Sequence, residues 1–153
     1  MQSRRFIVVT IIVWSTIALA SAGDEYMYVL RGGRELSFLF VLGASAPGWA
    51  VWALATPAIV RLSQRFPTWP PRARAVAVHI AAWLVVSVAF AITTMLASHV
   101  FPVAATPNPA AWPTRVWQNL ISWSPSLLMA YAAIIGVGHA LSYAAQVQRE
   151  QSE

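Results

Sequence analysis

The chain has no cysteine and no lysine, and only five of its 153 residues are acidic. Without cysteine there is no disulfide, no thiolate metal site and no thiol chemistry to consider. Charge is scarce throughout: 10% of residues are charged against 58% hydrophobic, far from the mix of a soluble domain. All ten basic residues are arginines, and the net charge is +5. A basic excess can point to nucleic acid. Here seven of the ten arginines fall in segments that read as one membrane surface, where anionic lipid is the nearer partner. Nucleic-acid binding is therefore not expected, and the lipid bilayer is the first partner.

Uninterrupted apolar sequence, by contrast, is abundant. Phe6 to Gly23, Leu36 to Val60, Ala75 to Thr114 and Val116 to Gln148 each contain no charged residue. A helix needs about 20 such residues to cross a bilayer. The expected class is all-α integral membrane, with four transmembrane helices near 6–22, 36–60, 75–101 and 117–143. The third run is cut by Pro102, Pro107, Pro109 and Pro113. Residues 1–145 then form one domain. Residues 146–153 are polar and helix-tolerant, and read as the start of a cytosolic helix.

The first span has a rival reading: Arg4-Arg5, an apolar stretch and Ala18-Leu19-Ala20 also have the form of a signal peptide. The remaining topology is the same under either reading. Orientation follows from arginine. Arg4 and Arg5 precede span one, and Arg61, Arg65, Arg72 and Arg74 follow span two, whereas the other two connections hold Arg31 and Arg34, and Arg115. Both termini are thus expected in the cytosol, with Arg61, Arg65, Arg72 and Arg74 as a lipid-facing topology anchor.

Span two closes with Trp52-Ala-Leu-Ala-Thr-Pro-Ala-Ile-Val-Arg-Leu-Ser-Gln-Arg-Phe-Pro67, a Thr-Pro step followed by two arginines and a proline-rich turn. This stretch resembles the second transmembrane helix and cytosolic turn of the sensor module in LytS-type bacterial sensor histidine kinases. His79 early in span three and the run from Tyr143 to Glu150 at the exit of span four add to the resemblance. It implies a multi-pass protein of the bacterial cytoplasmic membrane that serves as a signal-input module. In that family, span four leads into a phosphoacceptor-histidine box and an ATP-binding domain. Neither occurs in these 153 residues. The expectation is thus a non-catalytic chain, either a kinase fragment or a stand-alone relative. The alternative is a structural accessory subunit of a larger respiratory or photosynthetic complex.

Candidate sites are few. Ala132, Gly136, Ala140 and Ala144 recur every four residues in span four, forming a small-residue seam along which a helix can approach closely. It would serve a membrane-protein partner or homodimer, or else span one or three of the same chain. Trp14 and Trp49 fall near the expected span midpoints although tryptophan favours the interface. With Tyr131 they mark either a core pocket or ordinary aromatic packing. Ser87, Thr94 and Ser98 form a stripe along span three, expected to orient neighbouring helices.

His79 and His139 each lie four residues inside the same end of spans three and four, the placement a bis-imidazole haem site would use. No carboxylate or thiolate falls near them in the sequence, and no cofactor or metal is expected. A proton-coupled exporter would need a carboxylate within a span, and none of the five acids lies in one of the four spans.

Overall fold

The computed structural model describes residues 2–68, 72–103 and 111–151. Trp69, Pro70 and Pro71 of the proline-rich turn, Pro107 and Pro109, and the last two residues of the tail lie outside them. Four helices make up the fold: α1 (Gln2–Arg31), α2 (Phe38–Arg65), α3 (Ala73–Val100) and α4 (Trp112–Glu150). All four are long and apolar enough to cross a membrane. They alternate in direction, so the beginning of α1, the end of α4 and the α2–α3 connection share one end of the bundle, called here the terminal end. The other two connections define the loop end.

α1, α2 and α4 continue past the ends of their charge-free runs. α1 continues to Arg31, through Asp24 and Glu25, and ends where Gly33 takes a positive φ of 71°. A charge marks where a chain leaves an apolar stretch, and nothing about Asp or Glu stops a helix there. α2 begins at the Ser37 cap, whose hydroxyl accepts from the Phe40 amide at 3.2 Å. It then runs unbroken through Pro47 and Pro57. Each proline lacks the amide that would bond four residues back.

α4 handles the same defect at Pro125 with a side chain. The amide missing there would have bonded Ile121 O, and the Ser124 hydroxyl donates to that carbonyl at 2.9 Å instead. The polar segment after residue 145 stays helical to Glu150.

α2 is the central element. It packs against α1, α3 and α4, and α3 also packs against α4, whereas among the described residues α1 makes close backbone contact with α2 alone. Glycines set the tight approaches. A Cβ at Gly48 would meet Thr94 and Phe90 of α3, and one at Gly138 would meet Ser63 of α2. Trp52 and Leu127 are wholly buried, and around them Trp14, Trp49, Phe90 and Tyr131 complete the largest core cluster.

A waisted cleft as the candidate functional site

Among the described residues α1 makes close backbone contact with α2 alone, which leaves a cleft between α1 and α4 floored by α2 and, at the loop end, by α3 as well. Aromatic side chains divide it. Trp14 stacks on Trp49 at 6.0 Å and 22°, and on Trp52 at 5.9 Å and 26°. Trp49 meets Phe90 and Trp123 edge-on at 5.3 and 6.0 Å. The Trp14 indole is fixed by donating to Thr56 Oγ1 at 2.9 Å, and the Thr56 hydroxyl donates in turn to Trp52 O at 2.8 Å. Thr56, half of the Thr-Pro step, therefore serves as a buried relay between two helices. Trp14, Trp49 and Tyr131 are packed within the aromatic core, all nearly inaccessible. The cavities open above and below that layer.

The loop-end cavity, about 1320 Å³, is the more polar of the two. Asp24 and Glu25 of α1, Thr94 and Ser98 of α3, and Arg115 and Asn119 of α4 all line it. The Ser45 hydroxyl donates to Glu25 Oε2 at 2.7 Å, with Val41 O at a longer 3.2 Å. That bond joins a carboxylate on α1, three residues past the expected end of span one, to a buried position on α2. Ser21 and Glu25, four residues apart, share the face that looks into the cavity. Thr94 and Ser98, expected at helix contacts, also border it. Ser98 donates to Met95 O at 2.8 Å, whereas Thr94 Oγ1 and Asn119 Oδ1 have no hydrogen-bond partner among the described residues. The guanidinium of Arg34 bonds Val103 O, tying the α1–α2 connection to the segment after α3. No ion pair joins Asp24 or Glu25 to Arg115 among the described residues, so opposite charges face each other across the gap without closing it.

The terminal-end cavity, about 1260 Å³, is mostly apolar and lies between the first half of α1 and the second half of α4. Arg5 and Arg61 are the charged residues on its lining.

The two histidines noted at the same end of spans three and four are engaged separately. His79 is buried between Phe66 O at 2.9 Å from Nε2 and the Tyr131 hydroxyl at 3.0 Å from Nδ1. A carbonyl only accepts, so neutral His79 carries its proton on Nε2, and Tyr131 donates to Nδ1. His139 Nε2 instead lies 3.0 Å from Thr68 Oγ1. Both rings thus fasten the α2–α3 connection, His79 also reaching α4 through Tyr131 and His139 reaching it from α4 itself. Among the described residues no group of three or more His, Asp or Glu is placed to hold a metal ion.

Of the four anchor arginines, Arg65 and Arg74 stand over the Phe66 ring at 5.9 and 5.6 Å, Arg61 borders the apolar cavity, and Arg72 is exposed. The seam residues Ala132, Gly136, Ala140 and Ala144 are all exposed, and a Cβ at Gly136 would meet nothing within 4 Å. Within this chain, neither α1 nor α3 covers them. Glu25 and Asn119 were not named as site residues by sequence reasoning, and Arg5 entered it only through orientation. The four-residue spacing of Ser21 and Glu25 was the available signal.

Four helices long and apolar enough to span a membrane, with a cavity lined by all four, suggest a multi-pass membrane protein. Comparison of the chain with protein-family models, curated proteins and solved structures finds no match. The resemblance to LytS-type sensor modules therefore rests only on Trp52 to Pro67, with His79 and the run from Tyr143 to Glu150 beside it.

Proposed function

We propose that this is a non-catalytic membrane input module: it binds a small zwitterionic solute in the loop-end cavity and acts on a partner through helix contacts. The observation that carries this reading is the polar cavity itself, with Asp24 and Glu25 on α1 facing Arg115 on α4 across a gap. Ionisable groups at membrane depth are costly and usually functional. A solute whose cationic group reaches Asp24 and Glu25 and whose anionic group reaches Arg115 would bridge the two helices that do not touch. It would thereby favour a narrower cleft over an open one. Arg4, Arg5, Arg61, Arg65, Arg72 and Arg74 at the terminal end support placement in a bacterial cytoplasmic membrane with both termini inward. The exposed seam on α4 is the surface through which a change in α4 would reach a partner or second copy.

The test uses the absence of native cysteine. Spin labels at Tyr28→Cys on α1 and Trp117→Cys on α4, both exposed positions, report the width of the cleft. Glycine, glycine betaine and taurine are the probes. At least one is expected to shorten the distance, and Glu25→Gln to abolish the response. Unchanged distances with all three, or an unaltered response in Glu25→Gln, would overturn the reading.

A second reading, a structural accessory subunit of a larger membrane complex, draws on the same exposed seam. The mass and absorption spectrum of the complex in mild detergent separate the two. Companion subunits or pigments would favour the accessory role, and a colourless homodimer the input module.

A further inference from the structure

We infer that the terminal-end half of the cleft is a binding site for one anionic phospholipid, its phosphate between Arg5 and Arg61 and its acyl chains against α1 and α4 up to Trp14. The inference does not depend on any ligand in the loop-end cavity. Three observations carry it. The first is charge: the lining includes two arginines, one from each of two helices, and no carboxylate. Basic pockets between membrane helices select anionic headgroups.

The second is depth. Arg5 and Trp14 are nine residues apart on α1, and Arg61 and Trp52 nine apart on α2, which is about 13 Å of helix in each case. That is close to half of a ~30 Å hydrocarbon core, the depth that the chains of one leaflet occupy. The third is volume and lining. At about 1260 Å³ the cavity exceeds the ~300–1,000 Å³ usual for small-molecule sites. Below the arginines its walls are chiefly Val13, Pro57, Val60, Ile134 and Val137, which offer a polar solute little. None of the four seam residues lines it, so helix docking along the seam and lipid in the cleft use different faces of α4.

The experiment takes the full chain in mild detergent and compares added phosphatidylglycerol with phosphatidylcholine of the same chains, read by native mass spectrometry and thermal stability. Phosphatidylglycerol is expected to be retained and to raise the melting temperature, and phosphatidylcholine to do so far less. Arg5→Gln with Arg61→Gln should weaken retention by about thirtyfold, at roughly fivefold per arginine. Arg4→Gln, an exposed arginine outside the cavity, should leave it unchanged. Ala133→Trp, which fills the groove and spares both arginines, should also abolish retention. Equal binding of the two lipids, or equal behaviour of the Arg4 and Arg5/Arg61 variants, would overturn the assignment. So would a fall in oligomer mass on Ala133→Trp, which would make the occupant a helix of a second copy.

Discussion

The two sides of α2 are built differently. Toward α3 and α4, the backbone comes close at Gly48 and Gly138, Trp52 and Leu127 are wholly buried, and His79 and His139 tie the α2–α3 connection into the bundle. Toward α1 the backbones also lie close, and two side-chain hydrogen bonds cross the contact: the Trp14 indole on Thr56, and Ser45 on Glu25. α1 has no such approach to α4, and the cleft remains. The difference teaches that an apolar helix in a membrane is not drawn to its neighbours by burial alone. Lipid chains are as apolar as leucine, so small residues and polar links decide which pairs close. Where α1 and α4 face each other, the backbones make no close approach among the described residues.

The sharpest way to break the comparison is at the closed side. Gly138→Leu would drive a side chain into Ser63 and the Val60 backbone, and is expected to cost about 3 kcal/mol, the upper end for overpacking. Unfolding in detergent with increasing denaturant checks it, and a loss below about 1 kcal/mol would mean that the approach is looser than described. Next comes His79→Ala, which removes two bonds and leaves Tyr131 and Phe66 O without their partner. At roughly 0.6 kcal/mol per bond in membranes, plus the stranded polar groups, the expected loss is about 1–2 kcal/mol. A double-mutant cycle with Tyr131→Phe should return a coupling energy well above zero, and additivity would remove the link from the account. The smallest effect on folding belongs to Gly136→Leu, two residues from Gly138 on the same helix but facing outward. Its stability should change by no more than about 0.5 kcal/mol, while the size of the complex in mild detergent should fall if the seam is an interface between chains.

Four apolar helices and their alternation were legible in the spacing of charges, because a charged side chain is costly in hydrocarbon wherever it sits. Helix ends were not. Asp24 and Glu25 mark the edge of the apolar run, yet α1 carries them on for further turns, and this is what places Glu25 opposite Ser45. The glycines show the same limit. Four-residue spacing singled out Gly136, but spacing identifies a stripe and not the side of the helix that is covered; Gly138, without such a pattern, makes the close approach. His79 and His139 were legible as a same-end pair. Their partners are a backbone carbonyl, a tyrosine and a threonine, fixed by the three-dimensional path of the α2–α3 connection.

α4 has 39 residues and so extends over about 58 Å, nearly twice the thickness of a hydrocarbon core. Its backbone is one bond short at Pro125, just past the cavity residues Asn119 and Trp123. From there to Glu150 the arm is about 38 Å long. A tilt of roughly 5° at that weak point, no more than a helix kink readily supplies, would swing the far end by about 3 Å. α4 is proportioned as a lever, with its short arm at the polar cavity and its long arm beyond the arginine-rich surface.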